Sequence, residues 1–210
     1  MRVRVTFSKT GPLIFIGNLD LLTIWERAAR RAGLALAYSQ GFHPQPKIQF
    51  AAPLPLGFSS RCEIVDLWLQ EDMECSQLAD RLQPVVPAGI TILDVENVDV
   101  QAPPVSTQVQ AAEYEVAVSG TLPGEELEAR VRTLLEATAM PRERRGRQYD
   151  LRPLIQSLQV VGSTTEGEPR MLMRLTAQEG ATGRPDEVLD ALGVPRENAR
   201  IERVALIMGA

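Results

Sequence analysis

Residues 38–57 read Tyr38-Ser39-Gln40-Gly41-Phe42-His43-Pro44-Gln45-Pro46-Lys47-Ile48-Gln49-Phe50-Ala51-Ala52-Pro53-Leu54-Pro55-Leu56-Gly57, and hold the only histidine and four of the fifteen prolines of a 210-residue chain. Each proline fixes φ and removes a backbone donor, so a helix is excluded, while Phe42, Ile48, Phe50, Leu54 and Leu56 call for burial. The stretch is expected to be a rigid, shaped loop with one short β-like run, Lys47 to Ala51. Counting that run as a strand decides the fold, because it becomes the third element of a regular series.

Upstream, Val3, Val5 and Phe7 alternate with Arg2, Arg4, Thr6 and Ser8, the period of a half-buried strand. A turn at Lys9-Thr10-Gly11-Pro12 precedes a helix from about Asn18 to Ala32. Asn18 reads as its N-cap and Gly33 as its left-handed C-terminal stop. Downstream, Cys62–Leu69 reads as a strand, Ser76–Gln83 as a helix closed by Pro84 and Pro87, and Ile90–Val98 as a strand. The order is β-α-β-β-α-β, that of a ferredoxin-like unit.

Residues 99–110 lose periodicity and read as a linker. The order then returns. A strand is expected around Tyr114–Val118 and a helix from Pro123 to Leu135. Further strands are expected from Ser157 and over Met171–Leu175, then a helix opened by Pro185 and ended at Gly193, and a closing strand from Arg200 to Met208. The expected fold is α+β: two ferredoxin-like units with antiparallel sheets, 1–98 and 111–210, joined by 99–110. No residue-by-residue repeat accompanies the repeated order.

The net charge of −5 conceals an asymmetry: residues 1–61 carry +6, residues 62–140 carry −12, and residues 141–210 carry +1. Arg27, Arg30 and Arg31 share one face of the first helix, and Arg142, Arg144, Arg145, Arg147 and Arg152 form a second basic cluster. Such a distribution is compatible with an anionic partner despite the acidic total. The plain alternative for the three helical arginines is a solvated face. No stretch nears the roughly 18 apolar residues of a membrane span, and the N-terminus lacks the apolar core of a signal peptide. A cytoplasmic protein without a membrane partner is expected.

Four segments carry a resemblance: Lys9-Thr10-Gly11-Pro12-Leu13-Ile14-Phe15-Ile16-Gly17-Asn18-Leu19-Asp20-Leu21; Glu26-Arg27-Ala28 with Arg30-Arg31-Ala32-Gly33-Leu34; Tyr38-Ser39-Gln40-Gly41-Phe42-His43-Pro44; and Ala52-Pro53-Leu54-Pro55-Leu56-Gly57. They resemble the bacterial radical-SAM-linked (radical-SAM-associated) protein family, densely over residues 1–70. Asp150-Leu151-Arg152-Pro153-Leu154-Ile155 and Gly183-Arg184-Pro185-Asp186-Glu187-Val188-Leu189 resemble its later motifs. The resemblance implies a protein encoded beside, or fused to, a B12-domain radical-SAM protein, with no reaction assigned. Where the family usually has Gly-His-Leu-Asp, this chain has Gly17-Asn18-Leu19-Asp20. Asparagine could replace a capping histidine but not a metal-binding or proton-transferring one.

A radical-SAM cluster needs three neighbouring cysteines, and this chain has two, Cys62 and Cys75, so radical chemistry would belong to a partner. The pair fits neither a disulfide framework nor a zinc site and is expected to be reduced. No phosphate loop or dinucleotide fingerprint is present, and no cofactor or metal is expected. His43 is the one catalytic candidate, the general base of an RNA-processing or RNA-modifying enzyme with Tyr38, Ser39 and Lys47 near in sequence, set against a histidine that bonds a loop carbonyl. The broader expectation is a non-catalytic accessory recognising RNA or a ribosome-linked substrate, with no DNA partner. Phosphates would meet Arg27, Arg30, Arg31, Lys47, Arg144, Arg145, Arg147 and Arg152, while unpaired bases would stack on Tyr38, Phe42 and His43. The rival is a protein-protein adaptor that docks on the radical-SAM protein without touching RNA.

Overall fold

The computed structural model describes residues 1–120, 122–144 and 146–209, in two compact units, 1–109 and 110–209. In the first, β1 (Arg2–Lys9) leads to α1 (Asn18–Arg31), β2 (Ile48–Phe50), β3 (Ser59–Trp68), α2 (Cys75–Leu82) and β4 (Ile90–Val98). The strands lie in the order β2-β3-β1-β4, every neighbour antiparallel. This is the ferredoxin-like arrangement, as the βαββαβ order implies.

Its core follows from the alternation in β1. Val3, Val5 and Phe7 are wholly buried and pack with Leu21, Trp25, Ala28 and Ala29 of α1 and Leu78 and Leu82 of α2. The Trp25 ring meets Phe7 edge-on at 4.9 Å. Helix α1 closes as expected: Gly33 takes φ +69°, and the Leu34 N–H donates to the Ala29 carbonyl at 2.9 Å. Its start differs. Gly17 is the cap residue and Asn18 is already helical and exposed, so the Asn18 side chain caps nothing. The turn before it is a 3-10 helix, Gly11–Phe15, fastened where the Thr10 N–H donates to the Gly89 carbonyl at 2.9 Å.

The stretch 99–110, expected to be a linker, carries a helical turn, α3 (Val105–Gln108), and Val109 opens β5 (Val109–Val118). Its anchor is Arg2, whose guanidinium donates to the carbonyls of Ala102 (2.6 Å) and Pro103 (2.9 Å). Gln49 also accepts from the Val105 N–H at 3.2 Å, so loss of periodicity in sequence here reflects a segment held by side chains of the sheet, not a loose one.

The second unit continues with α4 (Gly124–Glu136), β6 (Pro141–Arg144), β7 (Arg147–Asp150), β8 (Ile155–Ser163), β9 (Pro169–Gln178), β10 (Ala181–Thr182), α5 (Pro185–Ala191) and β11 (Ala199–Met208). Its main strands run β8-β9-β5-β11, the same ferredoxin-like order, with β10 extending β9. Strand β8 starts at Ile155, before the expected Ser157. Of the second basic cluster, Arg142 and Arg144 on β6 and Arg147 on β7 belong to an antiparallel hairpin.

Candidate functional site

The loop of residues 38–46 is a pinned hairpin. Tyr38 bridges Pro46, the Ser39 N–H donates to the Gln45 carbonyl at 2.8 Å, and the Gln45 N–H returns to Ser39 Oγ at 2.9 Å. Its arms are laid against the end of β3: Ala37 N–H to Trp68 O (2.7 Å), Trp68 N–H to Lys47 O (3.1 Å) and Lys47 N–H to Ala37 O (2.8 Å). Gly41, at φ +133°, turns the tip. The burial expected for Phe42 is not found: its side chain is fully exposed at that tip, beside exposed His43 and Tyr38, and Leu56 is exposed as well. Pro44, Pro46 and the backbone hydrogen bonds fix the hairpin, so the aromatic is displayed by a rigid mount.

Among the described residues, the side chains of Arg27, Arg30, Arg31, His43 and Lys47 have no hydrogen-bond or ion-pair partner. The three arginines stand exposed on α1, with Arg30 and Arg31 in its last turn, where a cation also complements the helix dipole. Residues 32–37 lead from that helix end directly into the hairpin. Among the described residues no hydrogen bond or ion pair joins the two sets.

The second basic cluster is different. Arg144 Nε donates to Glu187 Oε1 at 2.9 Å, its Nη1 reaches the Thr182 carbonyl at 3.1 Å, and its guanidinium lies 4.9 Å from the Tyr149 ring centre. Burial lowers the Arg144 pKa, but the Glu187 carboxylate outweighs it and the net shift is upward. Burial, then Glu187, raise that of the Tyr149 hydroxyl. Arg152 donates to the Leu135 carbonyl at 2.9 Å, satisfying the C-terminal turn of α4, and to the Ile155 carbonyl at 3.3 Å. Both of these arginines fasten their own unit together. Arg147 is exposed on β7, and Arg145 lies outside the described residues. No His, Cys, Asp or Glu cluster able to hold a metal occurs among the described residues.

Trp68 went unnoticed in sequence. It is the last residue of β3, half-buried, with the Arg2 guanidinium carbon 4.7 Å from its ring centre. Arg2 is itself fixed by Asp66, through Nη2–Oδ2 at 2.7 Å, and Arg4 shares the same carboxylate at 2.9 Å. Beside the ring lies a cleft of about 350 Å³ lined by Pro46, Lys47, Trp68, Val100, Ala102 and Pro104, among others. The usable signal was alternation: Trp68 shares a parity with Asp66, opposite to the buried Val65 and Leu67.

Residues 2–185 match the family described as "Uncharacterized protein conserved in bacteria (DUF2344)". The chain belongs to that family. No curated protein matches the sequence. Among solved structures, a chain of the crystal structure of a Cbf5-Nop10-Gar1 complex is 11% identical at a TM-score of 0.51, over 97% of this DUF2344 chain and 48% of that one. The chain thus spans about half the length of that neighbour, and the likeness is one of fold. The acetolactate synthase small subunit from Thermotoga maritima, at 8% identity over 99% of this chain and 94% of that one, reaches a TM-score of only 0.28, too slight to bear on fold or function.

Proposed function

We propose that this protein is a non-catalytic accessory of a B12-domain radical-SAM protein and recognises RNA, or a ribosome-linked substrate containing it. The observation that carries the RNA half is the rigid hairpin displaying Phe42 fully exposed, with Tyr38 and His43, in a unit whose Arg27, Arg30, Arg31 and Lys47 have no internal partner. An exposed aromatic on a fixed mount costs solvation unless something covers it, and unpaired bases stack on such rings while cations meet the phosphates. The partner half rests on the resemblance of residues 9–57 to radical-SAM-linked proteins and on a cysteine content too low for a cluster of its own. His43 has no orienting partner among the described residues, so it fits a binding role better than that of a general base.

A mobility-shift titration with single-stranded RNA tests this. Binding should fall steeply with salt and weaken when Arg30, Arg31 and Lys47 are reversed to glutamate together; unchanged affinity in that variant would remove the RNA half. Turnover of RNA lost in a folded His43→Ala variant would overturn the non-catalytic reading. A second reading, a protein adaptor alone, is favoured by exposed Phe15 (70%), Leu19 (82%) and Leu56 (60%). The Gly57 N–H donates to the Ile14 carbonyl at 2.8 Å, which joins two of these segments. Co-purification with the radical-SAM protein, combined with indifference to RNA, would select it.

A further inference from the structure

We propose that the cleft beside Trp68 takes one unpaired nucleobase, stacked against the indole, with the attached phosphate on Lys47. The inference rests on the RNA reading but concerns a different surface from the Phe42 tip.

The placement follows from register. Val3 pairs with Leu67 and Leu67 with Ile48, and all three side chains pack into the core on the helix side of the sheet. Successive residues of a strand point to opposite faces, so their neighbours Arg2, Trp68 and Lys47 form a row across β1, β3 and the entry to β2 on the face opposite α1 and α2, where residues 99–108 cover Arg2 and leave Trp68 half-exposed at the cleft. Arg2 is directly opposite Trp68 in the ladder, and the Trp68 N–H donates to the Lys47 carbonyl at 3.1 Å. An aromatic side chain on the sheet face opposite the two main helices is a general platform for stacking a single-stranded base, and here Trp68 is the one that lines the cleft.

The chemistry of the row fits one flat, electron-rich ring with an anionic tail. The indole is held in place by the Arg2 guanidinium, itself locked by Asp66 and by the carbonyls of Ala102 and Pro103. A pre-positioned aromatic loses little freedom on binding. Arg2 and Arg4 share the single Asp66 carboxylate, which leaves the row net positive; exposed Glu96, 4.0 Å from Arg4, offsets it weakly. Lys47 is exposed and without a partner among the described residues. The walls, Pro46, Val100 and Pro104, are apolar, and about 350 Å³ is at the small end of ligand pockets, room for one base and its sugar but not a duplex.

The chain's only tryptophans are Trp25, wholly buried in the core and shielded from added ligand, and Trp68, so quenching of the full chain's emission by a ligand reports this cleft. The probes are adenosine 5′-monophosphate and an adenylate RNA hexamer. The expected result is saturable quenching by both, tighter for the hexamer. Trp68→Leu should weaken hexamer binding roughly tenfold or more, as loss of one base-aromatic stack does, Trp68→Phe should restore most of it, and Lys47→Glu should weaken both probes. Quenching by the mononucleotide with no gain from the hexamer would keep the cleft, assign it to a free nucleotide and overturn the RNA reading. A salt-sensitive hexamer shift without quenching, indifferent to Trp68→Leu, would overturn the cleft and leave the RNA reading standing. Absence of quenching by either probe also overturns it, and because this is read on the unmodified chain, a poorly folding Trp68→Leu variant would not obscure the result.

Discussion

Asp66 is the residue on which the first unit's polar interior turns. It is fully buried and accepts from Arg2, itself almost fully buried, and from Arg4. Removing one partner of a buried pair strands the other charge, which costs about 3–5 kcal/mol. Asp66→Ala should therefore lower unfolding free energy by that amount in urea titrations and release residues 99–104, because the Arg2 guanidinium loses the acceptor that aims it at their carbonyls. Asn18 supplies the contrast. If its side chain capped α1, replacement by alanine would cost about 1 kcal/mol; exposed and one position inside the helix, it should cost less than about 0.5 kcal/mol. A larger loss in the same titration would restore the capping role.

At the scale of elements, the junction of β1 with the 3-10 helix depends on Gly89. Its φ is +98°, and a Cβ there would lie 2.5 Å from the Thr10 carbonyl oxygen, the backbone of the segment it fastens. Gly89→Ala should destabilise by about 1–3 kcal/mol from conformation alone, more with the clash, visible as a lowered melting temperature. The β6–β7 hairpin depends instead on Tyr149 and Arg144. Because the folded state holds the Tyr149 proton above its ordinary range near 10, the folded protein binds more protons there. That stability is complete below pH 10 and is lost as pH rises through the raised value. Unfolding compared between pH 9 and 11 should show a steeper loss for the native chain than for Tyr149→Phe.

These elements also show what the sequence could disclose. β1, α1, α2 and β4 were legible because one buried face imposes a period of 2 or 3.6, and their boundaries fell within a residue or so of those expected. The β6–β7 hairpin carries hardly any apolar signal. Pro141, Arg142, Glu143 and Arg144 pair as a strand, held by a contact to Glu187 43 positions away, which no local pattern contains. The same blindness affected the candidate site. Periodicity says nothing about where a proline-fixed aromatic points, so Phe42 was expected inside, and charge counting could not separate free Arg30 from Arg144 and Arg152, which are spent on their own unit.

Over the whole molecule, a net charge of −5 opposes any nucleic acid at long range, so binding must come from a local positive field acting within about a Debye length, roughly 10 Å at 0.1 M salt. The proposed phosphate contacts in the first unit are Arg27, Arg30, Arg31 and Lys47, exposed and without a partner among the described residues. Each phosphate neutralised on a single strand contributes about 0.7 to the slope of log affinity against log salt. Four such contacts give a slope near −3, and each charge removed should flatten it by about 0.7. Arg30→Gln and Lys47→Gln should thus shift the slope in equal steps, whereas Arg147→Gln, in the second unit, should leave it unchanged if the first unit alone carries the strand. A slope near zero for the native chain would mean that any association seen is not phosphate recognition. A slope well beyond −3 that Arg147→Gln reduces would bring the second unit into the interface.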